Sequence, residues 1–345
     1  MIEGLRILIV TPAYLPDVTG NSITAHRLYK GLTDKGVEVE VVRSAECGIW
    51  NKKSFIPHLV HALHALKGGV PAKETADRLG VPFVVTVTGT DFNIDLMQHC
   101  SSGVSAVLDR AAVIIVYSEL AKKGLLTKSP FLEGKVRVIR PSVDIGRPKG
   151  VGGAPPKGFN FLLPSGIRSV KDPLFAVRPL ELLRREYPSI NLAIVGPVLD
   201  ESEWKRLSEA MEGRDWISYR KVAHEEMSDI YQAADVVLNT SLSEGLSNAV
   251  IEAMYFGKAV MASDCDGNRA VISDGVDGLL YMKGDEGDFM QKARSLIPDA
   301  DFREGLGRAA IDKVARDYSL AAEIEGHLRL YGEILGKPVS RIKKK

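Results

Sequence analysis

Short, almost wholly apolar runs recur along this chain with amphipathic segments between them, and that alternation restricts its possible folds more than any other feature. The runs RILIV (6–10), VEVEVV (37–42), PFVVTVT (82–88), AVIIVY (112–117) and VRVIR (136–140) read as strands of a first half. FNFLLPS (159–165), NLAIVG (191–196), WISYRK (216–221), DVVLNTS (235–241), KAVMAS (258–263) and GLLYM (278–282) read as strands of a second. Most do not alternate apolar with polar, the pattern of strands buried on both faces of a parallel sheet. Helical periodicity fills most gaps, as at 22–33, 173–186, 225–232 and 247–256. The spacing predicts two doubly wound α/β domains.

A chain of 345 residues exceeds what one hydrophobic core usually supports, which also points to two domains. The stretch GRPKGVGGAPPKG (146–158), with five glycines and three prolines, packs as neither helix nor strand and marks the hinge. The expected domains are 1–150 and 151–320. The last amphipathic segment, about 320–335, either closes the second domain or crosses back to the first, ahead of the basic tail RIKKK (341–345).

A net charge of +1 gives no electrostatic basis for bulk nucleic-acid binding. The RIKKK tail reads as a solvated end rather than a contact with anionic lipid. Cys47, Cys100 and Cys265 are isolated, suit a reducing compartment, and lack the spacing of a zinc site. The apolar run at residues 7–10 is too short for a signal-peptide core, and no segment approaches a membrane span. These features predict a cytoplasmic protein.

In open α/β sheets ligands bind beyond the carboxyl ends of the strands. Four such places stand out. After RILIV, the loop TPAYLPDVTGN leads to Gly20 and Asn21 at a helix start, where free N–H groups favour an anion; an ordinary capped turn is the simpler alternative. In PSGIRSVKDP (164–173), Arg168 and Lys171 lie three residues apart beside a strand end, with Asp172-Pro173 resembling a helix cap. Two cations there would neutralise a diphosphate, or form a plain surface pair. In NTSLSEGLSNAVIEAMYFGKAV (239–260), Glu244 and Gly245 sit in a loop, Ser247 or Asn248 caps the next helix, and Glu252 follows among apolar neighbours. A carboxylate so placed needs hydrogen-bond donors, such as ribose hydroxyls, unless it is simply solvated. In VTGTDFNID (87–95), Asp91 ends an apolar strand, where a turn-forming aspartate is the usual case.

Two further patterns are weaker. Asp264-Cys265-Asp266 has the form of a metal–phosphate motif but lies before GNRAV in a doubly wound context, and reads as a loop. His61 and His64 have no third ligand nearby and read as packed or sugar-facing rather than metal-binding.

Taken in order, these segments resemble the retaining glycosyltransferases of the large group 1 family (family 4), which adopt the GT-B fold. Residues 165–171 resemble the family's G-R-L-x-x-x-K segment, VGP (195–197) its strand-end glycine, and VAHEEMSDIYQAADVVLNTSLSEGLSNAVIEAM its signature through the E-x7-E motif. GNRAVISDGVDGLL (267–280) resembles the glycine-rich loop and the following strand. GNSITAHR, GTD and SVKDPL look most like the short glycosyltransferase 1 domain-containing proteins.

The resemblance implies two Rossmann-like domains facing across a cleft, the first reading the acceptor and the second a nucleotide-diphosphate sugar. Arg168 and Lys171 would hold the diphosphate, Glu252 the ribose, and Glu244 the hydroxyls of the transferred sugar. Gly245 and the backbone of Leu246 and Ser247 would lie at the phosphate, Gly196 at its strand end, and Gly20 with Asn21 where the first domain approaches the donor. The base would contact the stretch 220–226. The implied reaction is metal-independent hexosyl transfer without a further cofactor, from a nucleotide-sugar partner to an unknown acceptor.

One departure is clear. Where the family commonly has V-H-G-T-D, this chain has Thr88 in the histidine position, and threonine is no general base at neutral pH. Asp91, His61 or His64 would have to substitute, or the leaving phosphate itself would take the acceptor's proton. The alternative reading is a catalytically silent nucleotide-sugar binding protein. A pyridoxal-dependent phosphorylase or an NAD enzyme lacks a recognisable cofactor segment here.

Overall fold

The computed structural model describes residues 4–16, 19–48, 54–88, 102–143, 145–146, 148 and 156–336. The chain divides into two compact units, residues 1–142 with 318–345, and residues 143–317. The first division falls just before the glycine- and proline-rich stretch.

In the first unit β1 (Arg6–Thr11) leads to α1 (Gly20–Asp34), β2 (Glu38–Arg43) and the single turn α2 (Ser44–Cys47). Then come β3 (Leu59–Leu63), α3 (Gly69–Leu79), β4 (Phe83–Thr86) and α4 (Ser102–Arg110). β5 (Val113–Val116), α5 (Glu119–Lys128) and β6 (Val136–Val138) complete this part of the chain. The sheet is parallel in the order β2-β1-β3-β4-β5-β6. β2 is an edge strand, which is why Glu38 and Glu40 are tolerated in it. β1 has Ile7 to Val10 fully buried, because helices cover both of its faces.

β3 is a correction to the sequence reading, which left LVHAL outside the strands. It pairs with both β1 and β4, and all five of its residues are buried. His61 interrupts the apolar run, yet both ring nitrogens are satisfied inside: Nδ1 lies 2.7 Å from the Tyr331 hydroxyl and Nε2 2.7 Å from Thr86 Oγ1.

The second unit runs β7 (Phe159–Pro164), α6 (Val177–Leu183), β8 (Ile190–Val195), α7 (Glu201–Met211) and β9 (Ile217–Arg220). It continues through α8 (Met227–Gln232), β10 (Val236–Asn239), α9 (Asn248–Tyr255), β11 (Ala259–Ser263) and the one-turn α10 (Asp266–Arg269). β12 (Leu279–Tyr281), α11 (Glu286–Leu296) and α12 (Ala300–Asp317) follow. This sheet is also parallel, in the order β12-β11-β10-β7-β8-β9.

The segment predicted as one helix over 173–186 is shorter and broken. A 3-10 turn, Pro173–Ala176, precedes α6, and Asp172 adopts a left-handed conformation with φ of 41° instead of the extended geometry of an ordinary cap. The segment 225–232 likewise starts with a 3-10 turn, His224–Glu226, before α8.

The last helix, α13 (Leu320–Ile334), packs on α1 and belongs to the first unit. Ile324, Leu328 and Tyr331 join Leu28 and Leu32 of α1 over the face of the sheet formed by Ile7, Ile9 and Val84. Arg27 of α1 makes a buried two-pronged contact with Glu323 of α13, at 2.8 and 3.0 Å. Glu323 also accepts from the backbone N–H and hydroxyl of Ser142. Among the described residues no helix is long and apolar enough to cross a membrane.

Candidate active site

The direction in which strands are added reverses between β7 and β10 in the second sheet. Connections leaving the carboxyl ends of these neighbours diverge, the arrangement that opens a ligand crevice in doubly wound folds. Residues 165–172 leave β7 and residues 240–247 leave β10. The two segments are joined by bonds from Leu242 N–H to the Val170 carbonyl (2.9 Å) and from the Thr240 hydroxyl to the Lys171 carbonyl (2.8 Å).

Lys171 Nζ forms an ion pair with Glu244 Oε1 at this point. Ser241 Oγ (2.6 Å) and Asn239 Nδ2 (3.3 Å) donate to the same oxygen. Burial alone pushes the Glu244 carboxyl up. The adjacent Lys171 charge and its hydrogen bond, with Ser241 and Asn239, outweigh that and hold it below the usual carboxylate range. Glu244 is therefore a buried, ionised carboxylate facing a cation.

Arg168 is half-buried on the same connection, and among the described residues its Nε is buried without an acceptor. Leaving such a donor unpaired costs about 1–3 kcal/mol. Gly196, just past β8, has a φ of 156°, and a β-carbon there would collide with the Ser165 carbonyl. Only glycine lets β8 and the start of the 165–171 connection approach this closely.

Gly245 and Leu246 are half-buried and lead into α9, where Ser247 is the cap, its hydroxyl accepting from Val250 N–H. Glu252 lies in the second turn of α9 and is only 8% exposed, so it is not the solvated glutamate of the simpler reading. Tyr231 OH donates to its Oε2 at 2.9 Å, and His224 Nε2 stands 3.7 Å from its Oε1. Burial first, and then the Glu252 charge, push the Tyr231 phenol well above its ordinary value, so it remains a donor. Arg168, Lys171, Gly196, Gly245, Leu246 and Ser247 thus lie on the segments that leave the carboxyl ends of β7, β8 and β10, where Lys171 meets Glu244, and Glu252 follows in the second turn of α9.

The remaining candidates belong to the first unit, to the 264–266 segment or to residues outside those described. Gly20 and Asn21 open α1 at the carboxyl end of β1, behind a capping box between Thr19 and Ser22. Gly20 is exposed, with no atom within 4 Å of where a β-carbon would stand. Thr88 is buried two residues beyond β4. Asp91, Cys100 and the RIKKK tail fall outside the described residues. His61 is a core residue of β3. The Asp264/Asp266 pair is bound by Arg269, at 3.3 and 2.7 Å, between β11 and α10. Among the described residues no three side chains of histidine, cysteine, aspartate or glutamate converge as a metal site.

Residues 160–299, which contain all of this site, match the family model described as glycosyl transferases group 1. The glycosyltransferase 1 domain-containing protein 1 of Xenopus tropicalis is 27% identical over 84% of this chain and 87% of its own length. Two solved structures superpose over nearly the whole chain, each at 16% identity. Anabaena Alr3699/HepE in complex with UDP and glucose has a TM-score of 0.77, covering 95% of this chain and 100% of that one. Sucrose-phosphate synthase from Thermosynechococcus elongatus has a TM-score of 0.80, covering 96% and 99%.

Residues 160–299 are a group 1 glycosyl transferase region, and the chain has the GT-B fold.

Several residues of this site escaped the sequence reading. Asn239, Ser241 and Asn268 bond behind Glu244, and Tyr231 holds Glu252. Asn239 and Ser241 stand within the strand-end run NTS, a cluster of polar residues closing an apolar strand, and that was the available signal. Asn268 and Tyr231 gave none, because their partners are 29 and 21 residues away.

Proposed function

We propose that this chain transfers a hexose from a nucleotide-diphosphate sugar, with retention at the anomeric carbon. The observation that carries the reading is the Lys171–Glu244 pair at the reversal point of the second sheet, three residues after Arg168, whose Nε has no acceptor among the described residues. An oxyanion is the ligand that satisfies Arg168 and shares Lys171, while an ionised Glu244 suits sugar hydroxyls, which donate hydrogen bonds. The second unit would be the donor unit and the first the acceptor-side unit. HepE, whose structures contain UDP-glucose or UDP, supports a uridine nucleotide as the first donor to test.

Glu252 would accept from the ribose, and the Gly245–Ser247 backbone at the start of α9 would donate to phosphate. As the bond from the anomeric carbon to the diphosphate oxygen breaks, Arg168 and Lys171 take up the developing charge. The acceptor oxygen bonds to the same face of the anomeric carbon and its proton passes to the departing phosphate. This route needs no base at Thr88. Its work is done by positioning and charge stabilisation, the latter worth about 3–4 kcal/mol per donor group.

The test begins with a thermal-shift screen against uridine-, guanosine- and adenosine-diphosphate sugars, since a bound ligand raises stability by mass action. With the donor so found, Arg168→Ala and Lys171→Ala should each lower turnover at least 100-fold in folded protein. Near-normal turnover in both variants refutes the assignment. Donor binding without transfer or slow hydrolysis in the wild type would instead support a silent nucleotide-sugar binding protein, the reading that Thr88 favours.

A further inference from the structure

We propose that Asn239, a buried amide at the carboxyl end of β10, is the positioning residue that fixes the orientation and charge of Glu244 for transfer. The proposal rests on the reading that Glu244 faces the transferred sugar. Asn239 is 5% exposed and uses its hydrogen-bonding capacity in four directions. Its Oδ1 accepts from Ser241 N–H at 3.1 Å and from Asn268 Nδ2 at 3.0 Å. Its Nδ2 donates to Glu244 Oε1 at 3.3 Å and to Ser247 Oγ at 3.0 Å. One amide thus ties the Glu244 carboxylate to the cap of α9.

The direction of this array is determined. A backbone N–H only donates, so the Ser241 bond assigns the oxygen of Asn239. Asn268 Nδ2 also lies 2.9 Å from the Ser263 carbonyl, which only accepts, so the Asn268 amide nitrogen faces Asn239. Donation therefore runs from Asn268 to Asn239 and on from Asn239 to Glu244, while Asn268 also donates to the Ser263 carbonyl. Among the described residues all three donors to the carboxylate, Lys171, Asn239 and Ser241, reach Oε1. Pinning one oxygen fixes the plane of the carboxylate and directs Oε2 away from the array.

The backbone beneath is held too. A β-carbon on Gly267, at the start of α10, would collide with the β-carbon and carbonyl of Glu244. Among the described residues the charged and titratable groups beside Glu244 are Lys171, on the connection after β7, and the buried thiol of Cys265, after β11. Lys171 favours the ionised carboxyl, and the thiol stays neutral because burial raises it. Asn239 has no bond to Arg168, Lys171 or Glu252 among those described, and it meets Ser247 at the side-chain hydroxyl rather than at the backbone assigned to phosphate, so its effect should fall on turnover more than on donor binding.

Asn239→Asp is the informative change, because it keeps the shape, removes the Nδ2 donors and sets a second carboxyl against Glu244. The Glu244 carboxyl, followed by carbon NMR of labelled glutamate and assigned with Glu244→Gln, should titrate at least one pH unit higher in Asn239→Asp. With the donor found by thermal shift, kcat should fall about 100-fold with donor KM changed less than about threefold. Ser241→Ala, which removes one donor without adding charge, should move both quantities the same way by a smaller factor, and serves if Asn239→Asp does not fold. Combined with Glu244→Gln, Asn239→Asp should add little further loss. An unmoved Glu244 titration, an unchanged kcat, or full additivity with Glu244→Gln overturns the proposal. If the wild type turns over no donor, the transferase reading fails, while the titration alone still decides whether Asn239 governs Glu244.

Discussion

Glu252 and Tyr231 show how one hydroxyl can prepare a carboxylate. The phenol is held protonated by burial and donates to Oε2, leaving Oε1 on the side of His224. Removing that hydroxyl leaves the packing in place but takes a donor from a nearly buried charge, a loss of about 1–3 kcal/mol. Tyr231→Phe should therefore lower stability by that amount in chemical denaturation. Calorimetry with the nucleotide identified by thermal shift should show several-fold weaker binding, with kcat nearly kept. Unchanged affinity would show that Glu252 does not depend on Tyr231.

Residues that speak through their own type and spacing, such as Arg168, Lys171, Glu244 and Glu252, were legible in the sequence. Asn239 was visible only as part of a polar strand end, and Asn268 was not visible at all. An asparagine has no chemical signature until its partners are known, and Asn268 meets Asn239 from 29 residues away.

At the scale of elements, the strands were legible wherever burial demanded an unbroken apolar run. β3 was the exception. Its central histidine reads as polar in sequence but is a core residue once Tyr331 and Thr86 satisfy its ring. That choice carries a cost in acid. Burial first, and then the neighbouring His327, lower the His61 pKa well below its ordinary value. Burial, and then Arg27, lower His327 to about 3. The unfolded chain takes up these protons near 6.5, and the folded chain does not. The associated stability is thus fully present above pH 6.5 and is lost as pH falls below it towards the lowered folded values. The slope approaches roughly 1 kcal/mol per pH unit for each histidine. Urea denaturation between pH 7.5 and pH 5 should show this decline, and His327→Phe should make it shallower; an identical slope in the variant would refute the assignment.

For the molecule as a whole, composition and strand count announced two α/β units, but pairing order and the destination of the last helix were not readable. Which strands become neighbours depends on side chains meeting across the sheet, information that local periodicity does not contain. The same holds for α13, whose amphipathic stripe fits any apolar face. Its partner is fixed by Arg27 and Glu323, 296 residues apart. Breaking one side of a buried pair strands the other charge, a loss of about 3–5 kcal/mol. Glu323→Ala should destabilise the first unit by that amount while leaving intact the nucleotide binding proposed for the second. Hydrogen exchange resolved by segment would check this, with protection falling in β1, α1 and β3 and holding in β7 and β10.

Because α13 completes the unit that the N-terminus begins, the order in which the chain is synthesised matters. The strands and helices of residues 143–317 emerge from the ribosome one after another and can close on themselves. The earlier sheet, already made, keeps the Ile7–Ile9 face without its last covering helix until Leu320–Ile334 appears. The half of the protein translated first is therefore the half that finishes folding last.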